Sequence, residues 1–291
     1  MFEKTLKKLF GGLELSWPRL IVAALAAAVF TAAMAIIPAL HYTSFIAITV
    51  TFEVWILFGI LIIMNSRSNL DSALKCFVFF LISQPLIYLL QVPFSPLGWQ
   101  LFSYYRYWFI WTVLCLPMGF IGYYMKKNKW WGLLILLPML VLTAYCFSGY
   151  LSKLLFAFPR YLLIVLFCVA ALLVYPVAIF SGKKLRATGL AISAALLVAV
   201  CVLCFLDPPV YSTDVLGDSE EHPFDESYSV SLGDSRYGDV SIQYVPEIEA
   251  YMVHADFKKA GTTTLTLVSP DGEETVFDLH IEEDTYRLTK K

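Results

Sequence analysis

Residues 187–210 read ATGLAISAALLVAVCVLCFLDPPV. From Ala187 to Leu206 there is no charge, and Asp207-Pro208-Pro209 then closes the run. Crossing a bilayer as a helix takes ~20 predominantly apolar residues. The stretch therefore predicts a membrane span over 187–206, with the chain leaving the membrane at Asp207.

Working toward the N-terminus, six more segments have the same character: 19–40, 44–64, 73–92, 107–125, 130–149 and 161–180. The apolar stretch 130–180 is broken at Phe158-Pro159-Arg160, because proline starts helices well and interrupts them badly. Lys153 also sits poorly in a helix centre, so two spans joined at the membrane interface fit better than one. Composition agrees: the 291 residues are 59% hydrophobic and 15% charged, with mean hydropathy +0.70. Soluble domains are about 45–50% apolar and about 25% charged. The fold expected is an α-helical polytopic bundle of seven transmembrane helices over 19–206.

Charge divides the chain at the same place. Residues 1–206 hold 15 Lys/Arg against four acids, and residues 207–291 hold six against 19. With a cytoplasmic N-terminus, Lys4, Lys7, Lys8, Arg19, Arg67, Lys75, Lys126, Lys127, Lys129, Lys183, Lys184 and Arg186 fall inside. Only Arg106, Lys153 and Arg160 then fall in outer short loops. This bias follows the positive-inside rule. It predicts a multi-pass cell-membrane protein with its C-terminus extracytoplasmic. The run from Leu20 to Leu40 exceeds the 7–15 residues of a signal-peptide core, so an uncleaved first helix is expected. Residues 1–18 place Phe2, Leu6, Leu9, Phe10 and Leu13 at helical spacing among lysines. They read either as an amphipathic helix on the inner leaflet or as a solvated basic start. Tyr104, Tyr105, Tyr107 and Trp108, and on the other side Trp130 and Trp131, read as membrane-interface anchors.

Beyond Leu206 the pattern changes. Residues 207–227 are rich in Pro, Asp, Glu and Ser and read as an acidic linker. From 228 to 291 the period is two, with strands expected at 228–232, 239–245, 249–257, 262–268 and 274–282. Phe277, Leu279 and Ile281 share one face, while Asp278 and His280 share the other. Ser269-Pro270-Asp271-Gly272 is a turn between the last two strands. A small antiparallel all-β domain, read as a sandwich, is expected outside the membrane. Lys259-Ala260-Gly261-Thr262-Thr263-Thr264-Leu265-Thr266-Leu267, the Ser269–Gly272 turn and Val276–Ile281 resemble the final hairpin of bacterial Ig-like domains. The resemblance covers about the last 60 residues and implies an Ig-like sandwich. It lacks the Trp-Ser-Ser-type stretch usual upstream in that family.

Chemistry is sparse. Cys76, Cys115, Cys146, Cys168, Cys201 and Cys204 all lie in or beside spans, so the β-domain is held by its core alone. Cys201-x-x-Cys204 reads as small apolar packing. The histidines are His41, His222, His254 and His280, and no His-Glu-x-x-His, Gly-x-Ser-x-Gly, P-loop or dinucleotide motif occurs. Asp214, Asp218, Glu220, Glu221, Asp225 and Glu226 do not follow EF-hand spacing and read as solvated. No metal, cofactor, catalytic residue or nucleic-acid partner is expected.

Glu53 stands apart, near the middle of Ser44–Met64. A charge at such a position costs about 2.5–3.5 kcal/mol even on insertion scales. It reads either as a neutral acid hydrogen-bonded to a neighbouring helix or as a group on a proton or substrate path. Ser83 and Gln84, beside Pro85, are its candidate partners in an intramembrane polar site. Two functions follow. One is a non-enzymatic envelope protein whose β-domain serves binding, sensing or assembly, with the bilayer and another envelope protein as partners. The other is a small permease or transporter subunit using Glu53.

Overall fold

The β-branched run Ile46, Ile48, Thr49, Val50 and Thr51 interrupts what hydropathy reads as one span. Such side chains lose χ1 freedom in a helix. In the computed structural model, which describes residues 2–40, 43–49, 51–219, 223–246 and 249–291, Ser44–Thr49 forms a 3-10 turn. Thr51 is extended, and its hydroxyl bonds back to the Ala47 carbonyl at 2.7 Å. An α-helix begins only at Phe52. The expected 44–64 span is therefore a short turn followed by a 13-residue helix, and Glu53 sits in that helix's first turn rather than mid-span. His41, Glu220, Glu221 and His222 lie outside the described residues.

The helices are α1 (Phe2–Leu9), α2 (Trp17–Ile36), α3 (Phe52–Met64), α4 (Asn69–Gln91), α5 (Tyr105–Gly122), α6 (Trp130–Phe156), α7 (Leu162–Ile179) and α8 (Lys183–Leu206). Among the described residues, six are long and apolar enough to cross a membrane: α2 and α4 to α8. α3 is apolar but shorter. These helices mark a membrane protein, and the break at 157–161 divides 130–180 into two helices as the proline predicts.

The chain forms two compact units. The first comprises Met1–Ser148 and Leu163–Cys201. In it α4 packs against α2 and α5. α2 presents Leu20, Ala24, Ala27, Ala28, Thr31 and Ala32, a stripe of mostly small residues that lets backbones approach. Gly119 does the same for α5, since a Cβ there would lie 2.9 Å from the Ala73 Cα. The N-terminal segment forms the short helix that one of its two sequence readings expects. Leu6 and Phe10 are buried in the bundle, with the Phe10 ring 6.5 Å from that of Tyr175. Asn65 clamps the segment, donating to the Leu9 carbonyl at 2.6 Å and accepting from the Leu13 N–H at 2.8 Å.

The second unit comprises Gly149–Leu162 and Val202–Lys291. Its strands are β1 (Tyr211–Gly217), β2 (Ser229–Leu232), β3 (Gly238–Val245), β4 (Ala250–Phe257), β5 (Gly261–Val268), β6 (Glu274–Ile281) and β7 (Tyr286–Lys290). They form two antiparallel sheets, ordered β1-β4-β3 and β2-β5-β6-β7. Phe277, Leu279 and Ile281 are buried as the alternation requires, and Leu265 pairs with Phe277. Val253, Ala255 and Phe257 of the other sheet join the same hydrophobic cluster. Two strands were not expected. β7 follows the last expected strand, and β1 lies inside the expected linker. β1 pairs with β4, and Asp214, expected to be a solvated acid, meets His254 Nδ1 at 2.8 Å. Linker residues also help fill the core, through Val215 and Phe224.

Candidate functional site

The first candidate is the start of α3. Glu53 is fully buried, and its Oε1 lies 2.5 Å from the Thr51 hydroxyl, whose single proton also has the Ala47 carbonyl within reach. The Cys146 thiol of α6 interacts with the carboxyl group. Cys168 and Tyr175 of α7 lie within electrostatic reach of it. Glu53 Oε2 has no hydrogen-bond partner among the described residues, and neither has the buried Tyr175 hydroxyl. Burying an unpaired polar group costs about 1–3 kcal/mol, so this cluster is held at a cost to stability. The positive end of a helix dipole at α3's first turn favours the acid there.

The second candidate is a cavity of about 90 Å³ bounded by α3, α4, α5 and α6. Phe52, Trp55, Ile56, Gly59, Ile60 and Ile63 give it one helical stripe of α3. Gln84 enters from α4, and Trp108, Trp111 and Thr112 from α5. Gln84 and Trp55 are 2% and 3% exposed, and Gln84 Nε2 and Trp55 Nε1 find no acceptor among the described residues. Thr112 spends its hydroxyl on the Trp108 carbonyl.

The expected polar trio is thus distributed. Gln84 lines the cavity and Glu53 does not. The Ser83 Oγ is buried without a partner among the described residues. Of the expected interface anchors, Tyr104, Tyr107, Trp130 and Trp131 are exposed, while Tyr105 and Trp108 are partly buried. Trp55 was missed by sequence reading. Its signal was available: an indole N–H deep in an apolar segment needs an acceptor that such a segment does not supply.

A third cluster lies in the second unit. Glu283, just past β6, receives Lys153 Nζ at 2.7 Å, Arg160 Nη1 at 3.4 Å and the Tyr161 hydroxyl. Burial acts to raise this carboxyl, but hydrogen bonds from Lys153 and Tyr161 and the charges of Lys153 and Arg160 outweigh it. The group is held below the usual carboxylate range. Phe156, from the end of α6, is buried in the β-domain's hydrophobic cluster, and its carbonyl accepts from the Ala260 N–H at 2.9 Å. No group of three His, Cys, Asp or Glu among the described residues is placed to hold a metal ion.

No protein-family model, curated protein or solved structure matches this chain.

Proposed function

We propose that this chain is a non-enzymatic, seven-pass membrane protein that holds an Ig-like β-domain outside the cytoplasm for binding, sensing or envelope assembly. The observation that carries the reading is the mounting of the β-domain. Phe156 sits in its core, and Glu283 gathers Lys153, Arg160 and Tyr161 from the α6–α7 turn. A β-domain that takes the α6–α7 turn into its own unit is more than a tail after the last helix, which suits a domain built to present a surface. The mounting also supports the topology, because Lys153 and Arg160 are two of only three cations that the positive-inside reading leaves outside. Both have a structural use there. α3 is about 20 Å long, and the 44–49 turn makes up the remainder of a seventh crossing.

The exposed Tyr244 of the edge strand β3 packs at a tilt against Tyr251, ring centroids 5.2 Å apart. Exposed aromatics are favoured at protein interfaces. A photo-crosslinking amino acid at Tyr244 in intact cells is expected to give a discrete protein adduct. A chain that stays uncrosslinked from Tyr244 and from the exposed Gln243 would contradict a partner-binding role for this edge strand.

Glu53 favours a second reading, a small permease or transporter subunit. A wholly buried acid with one oxygen unpartnered among the described residues, at the start of a helix that begins inside an apolar segment, suits an ion or proton path. Proton flux in proteoliposomes that Glu53→Gln abolishes would put this reading first.

A further inference from the structure

We propose that the end of the β-domain remote from the α6–α7 turn docks a Lys/Arg-rich segment of another protein on the surface around Tyr244 and Tyr251. The proposal rests on the partner-binding reading given above, and adds to it the chemistry of the partner.

Strand register places three connections at one end of the two sheets. β1 runs out at Gly217 beside Met252, and the β3–β4 pairing ends at Val245 and Ala250. In the other sheet β2 starts at Ser229 beside Val268, and Val268 pairs with Glu274 across the β5–β6 turn. The opposite end is the mounted one. There the Ala260 N–H meets the Phe156 carbonyl, and Glu283 gathers Lys153 and Arg160.

Charge is unequal between the two ends. Residues 217–229, 245–251 and 268–274 hold ten acids and no Lys or Arg. Three of those acids, Glu220, Glu221 and Glu247, lie outside the described residues. The connections at the mounted end, 233–237, 258–260 and 282–285, set Arg236, Lys258 and Lys259 against four acids. The acidity is therefore a property of the remote end and not only of the domain's composition. A surface of one sign draws the opposite charge and steers its approach.

The same end is aromatic. Tyr244 and Tyr251 are directly paired across β3 and β4, so their rings share one face, and Tyr244 is 51% exposed. Asp225 and Glu226 come from a different connection, are exposed, and lie within electrostatic reach of Tyr251. Aromatic faces attract a guanidinium or ammonium group, and carboxylates beside them answer its charge. The same charges repel an anionic lipid surface, a nucleic acid and a second copy of this end. Among the described residues no three His, Cys, Asp or Glu are placed to hold a metal ion. A basic polypeptide segment is the occupant that meets both the rings and the charge.

The test uses the full chain in neutral detergent at low ionic strength, with an octapeptide alternating Arg and Ser as probe and a Glu/Ser octapeptide as control. Residues 1–206 hold 15 Lys/Arg against four acids, so they offer the Arg peptide no competing acidic surface. A photo-crosslinking amino acid at Tyr244 is expected to join the Arg peptide and not the Glu peptide. By fluorescence anisotropy, Asp225→Asn with Glu226→Gln should weaken Arg-peptide binding about fivefold, the worth of two exposed ion pairs. Tyr244→Ala should weaken it about threefold. Glu282→Gln with Asp284→Asn removes the same charge at the mounted end and should change binding by less than about twofold. Equal losses from the two double variants, or crosslinking that does not distinguish the peptides, would overturn the basic partner. So would a protein adduct from Tyr244 in intact cells with neither peptide captured by the purified chain, a result that keeps the partner-binding reading. No adduct in cells or with the purified chain would overturn both.

Discussion

Two carboxylates carry the testable chemistry of this chain, and they differ in how their charge is met. Glu283 is surrounded by two cations and a phenol, and its carboxyl is held below the ordinary glutamate value of 4.5. A group depressed in the fold stabilises it fully above the ordinary value, and that contribution is lost as pH falls through the folded value. The α6–α7 turn is therefore expected to become protease-sensitive as pH drops below about 4.5. Glu283→Gln should be more sensitive at neutral pH and much less dependent on pH; a wild-type turn equally resistant between about pH 3 and 7 would contradict this. Glu53 has no cation beside it among the described residues. As a hydrogen-bonded neutral acid, it should tolerate Glu53→Gln with little loss of folded protein. Glu53→Leu removes the contact with Thr51, whose hydroxyl keeps the Ala47 carbonyl, and should cost about 0.5–1.5 kcal/mol, the net worth of one hydrogen bond. A Gln variant that inserts and folds but loses an activity of the wild type would show that Glu53 titrates in service of function.

At the scale of elements, the β-domain separates what sequence shows from what it hides. The β5–β6 hairpin was legible because alternation, a Pro-Asp-Gly turn and burial all agree: Gly272 has φ +87° and its N–H donates to the Ser269 carbonyl. β1 was not legible. Its burial alternates weakly, its flanks are acidic, and its partner β4 lies some 40 residues downstream. The break before α3 left a signal, the β-branched run 46–51, but hydropathy counts apolarity and is blind to backbone geometry. Glu283 could not be found at all, because its partners are more than 120 positions away. β1 gives a sharp expectation. A fragment beginning at residue 207 retains β1 and should melt cooperatively, whereas one beginning at 222 leaves a β4 edge unpaired and should melt broadly or not fold. Equal melts would show that β1 adds nothing. Phe156→Ala in the full chain, which empties a core position of the same cluster, should cost about 3–5 kcal/mol. Far-ultraviolet circular dichroism during chemical denaturation would report it as early loss of the β signal.

For the whole molecule, apolar length and charge asymmetry made the membrane class readable from sequence. They could not foretell that the β-domain would draw residues 149–162 into its own unit. The membrane topology remains the claim on which the proposed functions depend. The β-domain contains no cysteine, and all six native cysteines fall between Cys76 and Cys204, so a single introduced thiol reports cleanly on its side. Asp271, at the exposed β5–β6 turn, and Lys127, exposed after α5, suit the purpose. In intact cells a membrane-impermeant maleimide is expected to label Asp271→Cys, and to label Lys127→Cys only after permeabilisation, with the unsubstituted chain as background. Labelling of Lys127→Cys in intact cells, with Asp271→Cys protected until permeabilisation, would contradict an extracytoplasmic β-domain.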